Sequence, residues 1–390
     1  MHTRTRFGSA LRNQRADNVC GTGNNTVNRG SGNAPLDRIR SEVRAIEGYH
    51  LKAYDCPIKL NQNESPFDVP EDLKDLILQR VKNCRWSRYP EPMPTDLVDA
   101  LAQRAGWTPE GTIVCNGSNT LVQLVLSVST TSGTKVVIPS PSFSLYSLYA
   151  EIFGGRVISV DLTSDYRFDL NRISEAVKGN NANCVILCSP NNPTGCVISS
   201  EELEELLSST DALVMVDEAY GEFSDSSAVS LLSNYPNLII LRTFSKALGA
   251  AGIRVGYLLA HPQITREILK AKIPFDINVF SHAAAMCILE QGDLVDERVA
   301  FIRRERDRVF EGIEQTCGAR PYPSHANLIL FEVDDPSFVF QSLVEQGVLI
   351  RNVTSYPMLS RALRVSIGTC EENNQFLAAL TETLKGSTTS

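Results

Sequence analysis

From about residue 112 the chain alternates short, nearly continuous apolar runs with longer segments of helical periodicity. The runs fall at 112–115, 135–138, 156–160, 184–188, 212–216, 237–241 and 253–259. Continuous rather than alternating apolar character marks strands buried on both faces. Between two of them, 199–207 has helical spacing. The pattern predicts an α/β fold with a large, mainly parallel sheet covered by helices. Past about 280 it changes to a long charged helix through 297–306, strands at 327–333, 347–351 and 363–367, and a final helix, which predicts a smaller α+β domain. Residues 1–35 are rich in Arg, Asn, Gly, Ser and Thr, with Asp17 as the only acid. They read as a disordered leader; an Arg-rich, acid-poor start is also what an organellar transit peptide looks like.

Composition narrows the class of partner. Of 390 residues, 37 are Lys or Arg and 45 Asp or Glu, a net charge of −8, which gives no electrostatic footprint for nucleic acid. A small-molecule partner is expected. No apolar stretch approaches the ~18–20 residues of a membrane span. The ten cysteines include no CxxC, and the five histidines form no HxxxH pair, so no metal is expected. Cysteines inside apolar runs, such as Cys184 and Cys188, read as reduced core thiols of a cytoplasmic protein.

Ligands of open α/β sheets collect beyond the carboxyl ends of strands, and four segments there are unusually polar. After 112–115 the turn Asn116-Gly117-Ser118-Asn119-Thr120 opens a helix; it reads as a phosphate-accepting helix start or as an ordinary cap. After 184–188 comes SPNNPTG (189–195), a turn that presents Asn192. Asp217 ends the run at 212–216 and is followed by Tyr220; a carboxylate at a buried strand end requires a cation or strong donors, and a capping Asp is the other reading. Last, Lys246 stands among hydroxyl and small residues with Arg254 eight positions on. Apolar flanks lower an amine's pKa and favour a nucleophile.

A nucleophilic amine, an acid for a pyridine nitrogen, donors for a phenolic oxygen and hydroxyl and Arg donors for a phosphate are what pyridoxal 5'-phosphate requires. Here the sequence resembles the fold-type I, class I/II aminotransferases, and among them the histidinol-phosphate aminotransferases. The likeness runs from about 50 to 385 and rests on KLNQNESPF (59–67), RYPEP (88–92), SPNNPTG, VDEAY (216–220), 243–257 and LRVSIG (363–368), all in family order. It implies that Lys246 binds the cofactor covalently and moves the proton. Asp217 pairs with the ring nitrogen, and Asn192 and Tyr220 contact the phenolic oxygen. Phe143 stacks on the ring where many members have Tyr. Thr243, Ser245, Arg254 and the turn Gly117-Ser118-Asn119 form the phosphate cup. Tyr89 reaches the phosphate from a neighbouring subunit, which implies a homodimer with shared active sites. Arg364 and Arg351 bind the substrate's anionic groups and Tyr54 closes over it.

The resemblance divides the chain into the leader 1–35, an arm and joining segment 36–80, a large cofactor-binding domain 81–280 and a small domain 281–390. It implies amino transfer from glutamate to imidazole acetol phosphate, giving 2-oxoglutarate and histidinol phosphate in histidine biosynthesis. Transamination of phenylalanine or other aromatic amino acids, or decarboxylation of threonine phosphate, shares the cofactor motifs. A ligand-sensing module of a transcription regulator would need a DNA-binding domain, which 35 polar residues ahead of the fold do not provide.

Overall fold

The computed structural model describes residues 35–48 and 52–387; the expected leader, up to residue 34, lies outside the described residues. In chain order the strands are β1 (Ile58–Lys59), β2 (Thr112–Cys115), β3 (Lys135–Ser140), β4 (Arg156–Asp161), β5 (Cys184–Cys188), β6 (Leu213–Asp217), β7 (Leu238–Thr243), β8 (Gly256–Ala260), β9 (Ala319–Pro321), β10 (Leu328–Val333), β11 (Val348–Leu349), β12 (Arg351–Asn352) and β13 (Ala362–Ser366).

Strands β2 to β8 form one sheet in the order β2-β8-β7-β6-β5-β3-β4. The ladders from β4 to β7 are parallel, as the apolar runs predict. β8 is the exception, antiparallel to both β7 and β2. No crossover helix joins β7 to β8, and without one the chain turns back antiparallel. The expected strand at 253–259 also starts late. Ala251–Ile253 is a 3-10 turn and Arg254 takes the left-handed conformation at φ 54° before β8 begins.

Every residue of β5 is buried. Successive side chains point to opposite faces, so Val185 and Leu187 enter one core while Cys184, Ile186 and Cys188 enter another. Helices Ser118–Ser129, Leu145–Ile152, Leu170–Asn180 and Ser200–Ser208 connect the parallel strands. The last begins with a capping box in which the Ser199 hydroxyl accepts from Glu202 N and the Glu202 carboxylate accepts from Ser199 N. Strand order reverses between β3 and β5, a switch point that parts the loops leaving their carboxyl ends.

The second sheet is antiparallel, in the order β12-β13-β10-β9. Phe331 and Val365 on its apolar face pack with Phe376 of the helix Cys370–Ser387 in a third core. The run at 347–351, expected as one strand, serves two neighbours: β11 pairs with β1, then β12 pairs with β13. Cys115, Cys184, Cys188 and Cys287 are buried, but Cys84, Cys317 and Cys370 are exposed because they flank helix ends rather than sit in apolar runs. Among the described residues no helix is long and apolar enough to cross a membrane.

Candidate active site

Loops beyond β3, β5, β6 and β7 meet residues 61–64 and the strands β12 and β13 around a cavity of about 290 Å³. Of the residues expected at a site, Ser118, Asn119, Phe143, Asn192, Asp217, Tyr220, Thr243, Ser245, Lys246, Arg254, Arg351 and Arg364 all line it. Four of these are cationic. Against them stand Asp217 and Glu64, and Glu64 is engaged by Lys59 at 3.0 Å. The balance favours an anionic occupant.

Asp217, the last residue of β6, is 4% exposed. Its Oδ1 accepts from Ala219 N at 3.0 Å, as a capping Asp would, but Oδ2 accepts at 2.7 Å from the hydroxyl of Tyr146, which also lines the cavity. Burial pushes its carboxyl up to about 6. A buried acid with two donors and a raised pKa gains from a cationic N–H partner. Tyr146 is a site residue that sequence reasoning missed. It packs edge-on against Phe143 with ring centroids 5.4 Å apart.

At another side of the cavity the helix Ser118–Ser129 begins after Gly117 with no side-chain cap, which removes the ordinary-cap reading of that turn. Gly117 has φ 85°, and a Cβ there would stand 2.5 Å from Arg254 Nη2; a Cβ on Gly256 would stand 2.4 Å from Ser118 N. Only glycine permits this approach of the arginine to the helix start. Arg254 is turned in by its left-handed backbone; its Nη1 donates to Ala251 O at 2.9 Å and Ser245 Oγ at 3.4 Å, and Thr243 Oγ1 lies 3.0 Å from Ser245 Oγ. Two hydroxyls, a guanidinium and a helix start make an oxyanion cradle.

Lys246 is half-buried, with Nζ donating to Gln62 O at 2.9 Å and lying 5.6 Å from the Tyr220 ring centroid. Burial, then the nearby Arg364 charge, lowers its amine to about 8. Arg364 is 6% exposed, so it does not snorkel from its strand. Its Nη1 donates to Asn192 Oδ1 at 2.5 Å and its Nη2 to Asn61 O at 2.6 Å. Arg351 is its cross-strand neighbour and opens onto the same cavity. Tyr220 Oη accepts from Asn63 Nδ2 at 2.9 Å. Residues 61–63 thus touch Arg364, Lys246 and Tyr220 in turn. Their signal in the sequence is a polar Asn-Gln-Asn run directly after an apolar strand start.

Tyr54 and Tyr89 lie apart from the cavity. Tyr54 packs edge-on against Phe340 with centroids 5.6 Å apart. Tyr89 is 82% exposed beside Phe275, and Trp86, 65% exposed, packs on Phe280.

Comparison with known proteins agrees with this geometry. The family description "Aminotransferase class I and II" matches residues 56–380. The chain is 40% identical over 344 residues to histidinol-phosphate aminotransferase of Chlorobaculum tepidum, covering 88% of this chain and 99% of that one. It is 36% identical over 346 residues to the enzyme of the same name from Thermoanaerobacter pseudethanolicus, covering 89% and 98%. Among solved structures, histidinol-phosphate aminotransferase from Sinorhizobium meliloti in complex with pyridoxal-5'-phosphate superposes with a TM-score of 0.82 at 25% identity, covering 90% of this chain and 98% of that one. The chain belongs to the class I and II aminotransferase family.

Proposed function

We propose that this chain transfers the amino group of glutamate to imidazole acetol phosphate, giving 2-oxoglutarate and histidinol phosphate, with pyridoxal 5'-phosphate as cofactor. The cavity fits that cofactor. Its oxyanion cradle, its buried acid and its depressed amine line one space, matching a phosphate, a ring nitrogen and an aldehyde. Gly117, Ser118, Asn119, Thr243, Ser245 and Arg254 would hold the phosphate. Asp217 would hold the ring nitrogen, Phe143 would cover the ring face, and Asn192 and Tyr220 would hold the phenolic oxygen. When bound, the cofactor supplies an aldehyde that captures amines and a protonated ring that stabilises the electron pair left when a Cα proton departs.

The protein's own groups do the rest. With its amine lowered to about 8, Lys246 holds a useful neutral fraction at physiological pH; it would take the proton from the donor's Cα and deliver it to the cofactor carbon that had been the aldehyde. Asp217 keeps a proton on the ring nitrogen, because a carboxylate beside that N–H favours the charged form. Arg364, already fixed by Asn61 and Asn192, forks onto the donor's carboxylate.

The observation that carries the substrate choice is the placement of Arg351 beside Arg364 on adjacent strands of one cavity. Two guanidiniums suit a dianionic phosphate better than a single carboxylate. The chain's similarity to curated enzymes of this name supports the same choice. Assay of the purified protein with glutamate against imidazole acetol phosphate and phenylpyruvate tests it. Preference for phenylpyruvate would make it an aromatic aminotransferase.

A dimer completes the reading. Trp86, Tyr89, Phe275 and Phe280 form an exposed aromatic patch, of the kind that protein partners cover. A second copy seated there would bring Tyr89 toward the phosphate cradle of its neighbour.

A further inference from the structure

We propose that Asn63 is a positioning residue that fixes the direction of the Tyr220 hydroxyl, so that Tyr220 donates its proton into the cavity toward the cofactor's ring oxygen. The proposal rests on the pyridoxal-phosphate reading above.

The hydrogen bonds around Asn63 give its amide a definite orientation in the structure. Its backbone N–H donates to Ser366 Oγ at 2.8 Å, and the Ser366 hydroxyl donates its own proton to Asn63 Oδ1 at 2.9 Å. With Oδ1 facing Ser366, the NH2 group faces Tyr220 Oη at 2.9 Å. An amide NH2 donates and cannot accept, so the Tyr220 oxygen is the acceptor in this contact. The Tyr220 proton must therefore point elsewhere, and the cavity that Tyr220 lines is where a partner waits.

Asn63 cannot readily turn. It is 1% exposed, its backbone holds a left-handed φ of 53°, and its carbonyl accepts from Asn327 Nδ2 at 3.1 Å. Asn192 is locked by the same logic. Arg364 has no acceptor, so Asn192 Oδ1 must face it and the Asn192 NH2 is turned away. Both contacts to the ring oxygen are thereby made donors, which is what a phenolate requires.

Asn63→Asp keeps the shape and replaces the donor with an acceptor, drawing the Tyr220 proton back from the cavity. The readout is the pH titration of the bound cofactor's absorbance in the loaded protein, beside a melting curve. A ring oxygen deprived of a donor holds protons more tightly, so the midpoint should rise by ~1 pH unit. The shift should vanish when Asn63→Asp is made in a Tyr220→Phe background. An unchanged midpoint with a lowered melting temperature would show that Asn63 is only structural and overturn the proposal. An equal shift in the Tyr220→Phe background would also overturn it, because the new charge alone would then be acting. If Asn63→Asp does not load, Asn63→Gly suits the same backbone and should shift the midpoint the same way by less. A wild-type protein with no cofactor absorbance would refute the functional reading itself, a result distinct from either of these.

Discussion

The two walls of the cavity are assembled on different scales. On the large-sheet wall, polar groups stand at strand ends and most find a partner a few residues away: Asp217 with Ala219, Thr243 with Ser245, Arg254 with Ala251; the remote exceptions are Asp217 with Tyr146 and Lys246 with Gln62. On the small-sheet wall the partners are remote. Arg364 binds Asn61, 303 residues away in sequence, and Asn192, 172 away; Asn63 reaches Ser366, Tyr220 and Asn327. The first wall takes its shape from local turns and the sheet. The second exists only once the amino-terminal segment, the large sheet and the small sheet have come together. Damage to the first wall should fall on the chemistry, and damage to the second on the choice and grip of substrate.

The large-sheet wall gives the largest effects. Lys246→Ala removes both the covalent link and the proton carrier, and turnover should fall by about 10⁴-fold or more while the cofactor still binds. Borohydride reduction of the wild type and peptide mapping should place the label on Lys246; a label elsewhere ends the assignment. Because the neutral amine attacks and Lys246 is lowered to about 8, capture of cofactor by cofactor-free protein should accelerate as pH rises through about 8, well below the range of an ordinary lysine. Stopped-flow absorbance reads this directly.

Asp217→Asn should slow Cα deprotonation by roughly 10²–10³-fold, since a neutral amide does not hold the ring nitrogen protonated. Its effect on stability should have the opposite sign. The Asp217 carboxyl is raised from 3.8 to about 6 in the folded protein, so folding binds a proton more tightly than the unfolded chain does. Cofactor-free protein therefore gains stability as pH falls from above 6 toward 3.8 and carries a buried charge at pH 8. Asn should raise its stability at pH 8 by about 1–3 kcal/mol. A residue that merely capped its turn would keep turnover and show little change in stability, because Asn caps about as well as Asp.

The contrast between the walls also explains what the sequence disclosed. Asp217, Asn192 and Lys246 each follow a buried apolar run, where a polar residue is conspicuous, and the parallel sheet follows from the same runs. Residues 61–63 follow only a two-residue strand, and two of their contacts, to Lys246 and Arg364, are made by backbone carbonyls, which any residue possesses. Tyr146 sits in the first turn of a largely apolar helix and reads as core until its hydroxyl is seen on Asp217. The late start of β8 follows a left-handed Arg254, a conformation that no local pattern announces. Sequence periodicity reports burial; it does not report which distant segment supplies a partner.

On the small-sheet wall, Arg351 and Arg364 should separate. Losing one charge-assisted contact costs about 1.5–3 kcal/mol, or roughly ten- to a hundredfold in kcat/KM. Arg351→Ala should weaken the phosphorylated substrate by that much and glutamate far less. Arg364→Ala should impair both, because Arg364 also braces Asn192 and Asn61. Equal losses for the two substrates in Arg351→Ala would argue against a phosphate at that arginine.

The smallest effect concerns Tyr89 and the proposal that it serves a neighbouring subunit. Tyr89, 82% exposed and stacked near Phe275, lies away from the cavity of its own chain. If it serves the neighbour's phosphate cradle, an inactive Tyr89→Ala protein mixed with inactive Lys246→Ala should regain activity on subunit exchange. In each hybrid dimer one site would lack both groups and the other would be intact. Random pairing makes half the dimers hybrid, so recovery should reach about a quarter of wild type. A Tyr89 that acted within its own chain would give hybrids with no intact site beyond those already present, and activity would stay at the level of the separate variants. Exchange verified by mass, with no recovery, would therefore remove Tyr89 from the shared site and leave the aromatic patch a contact surface without a catalytic part.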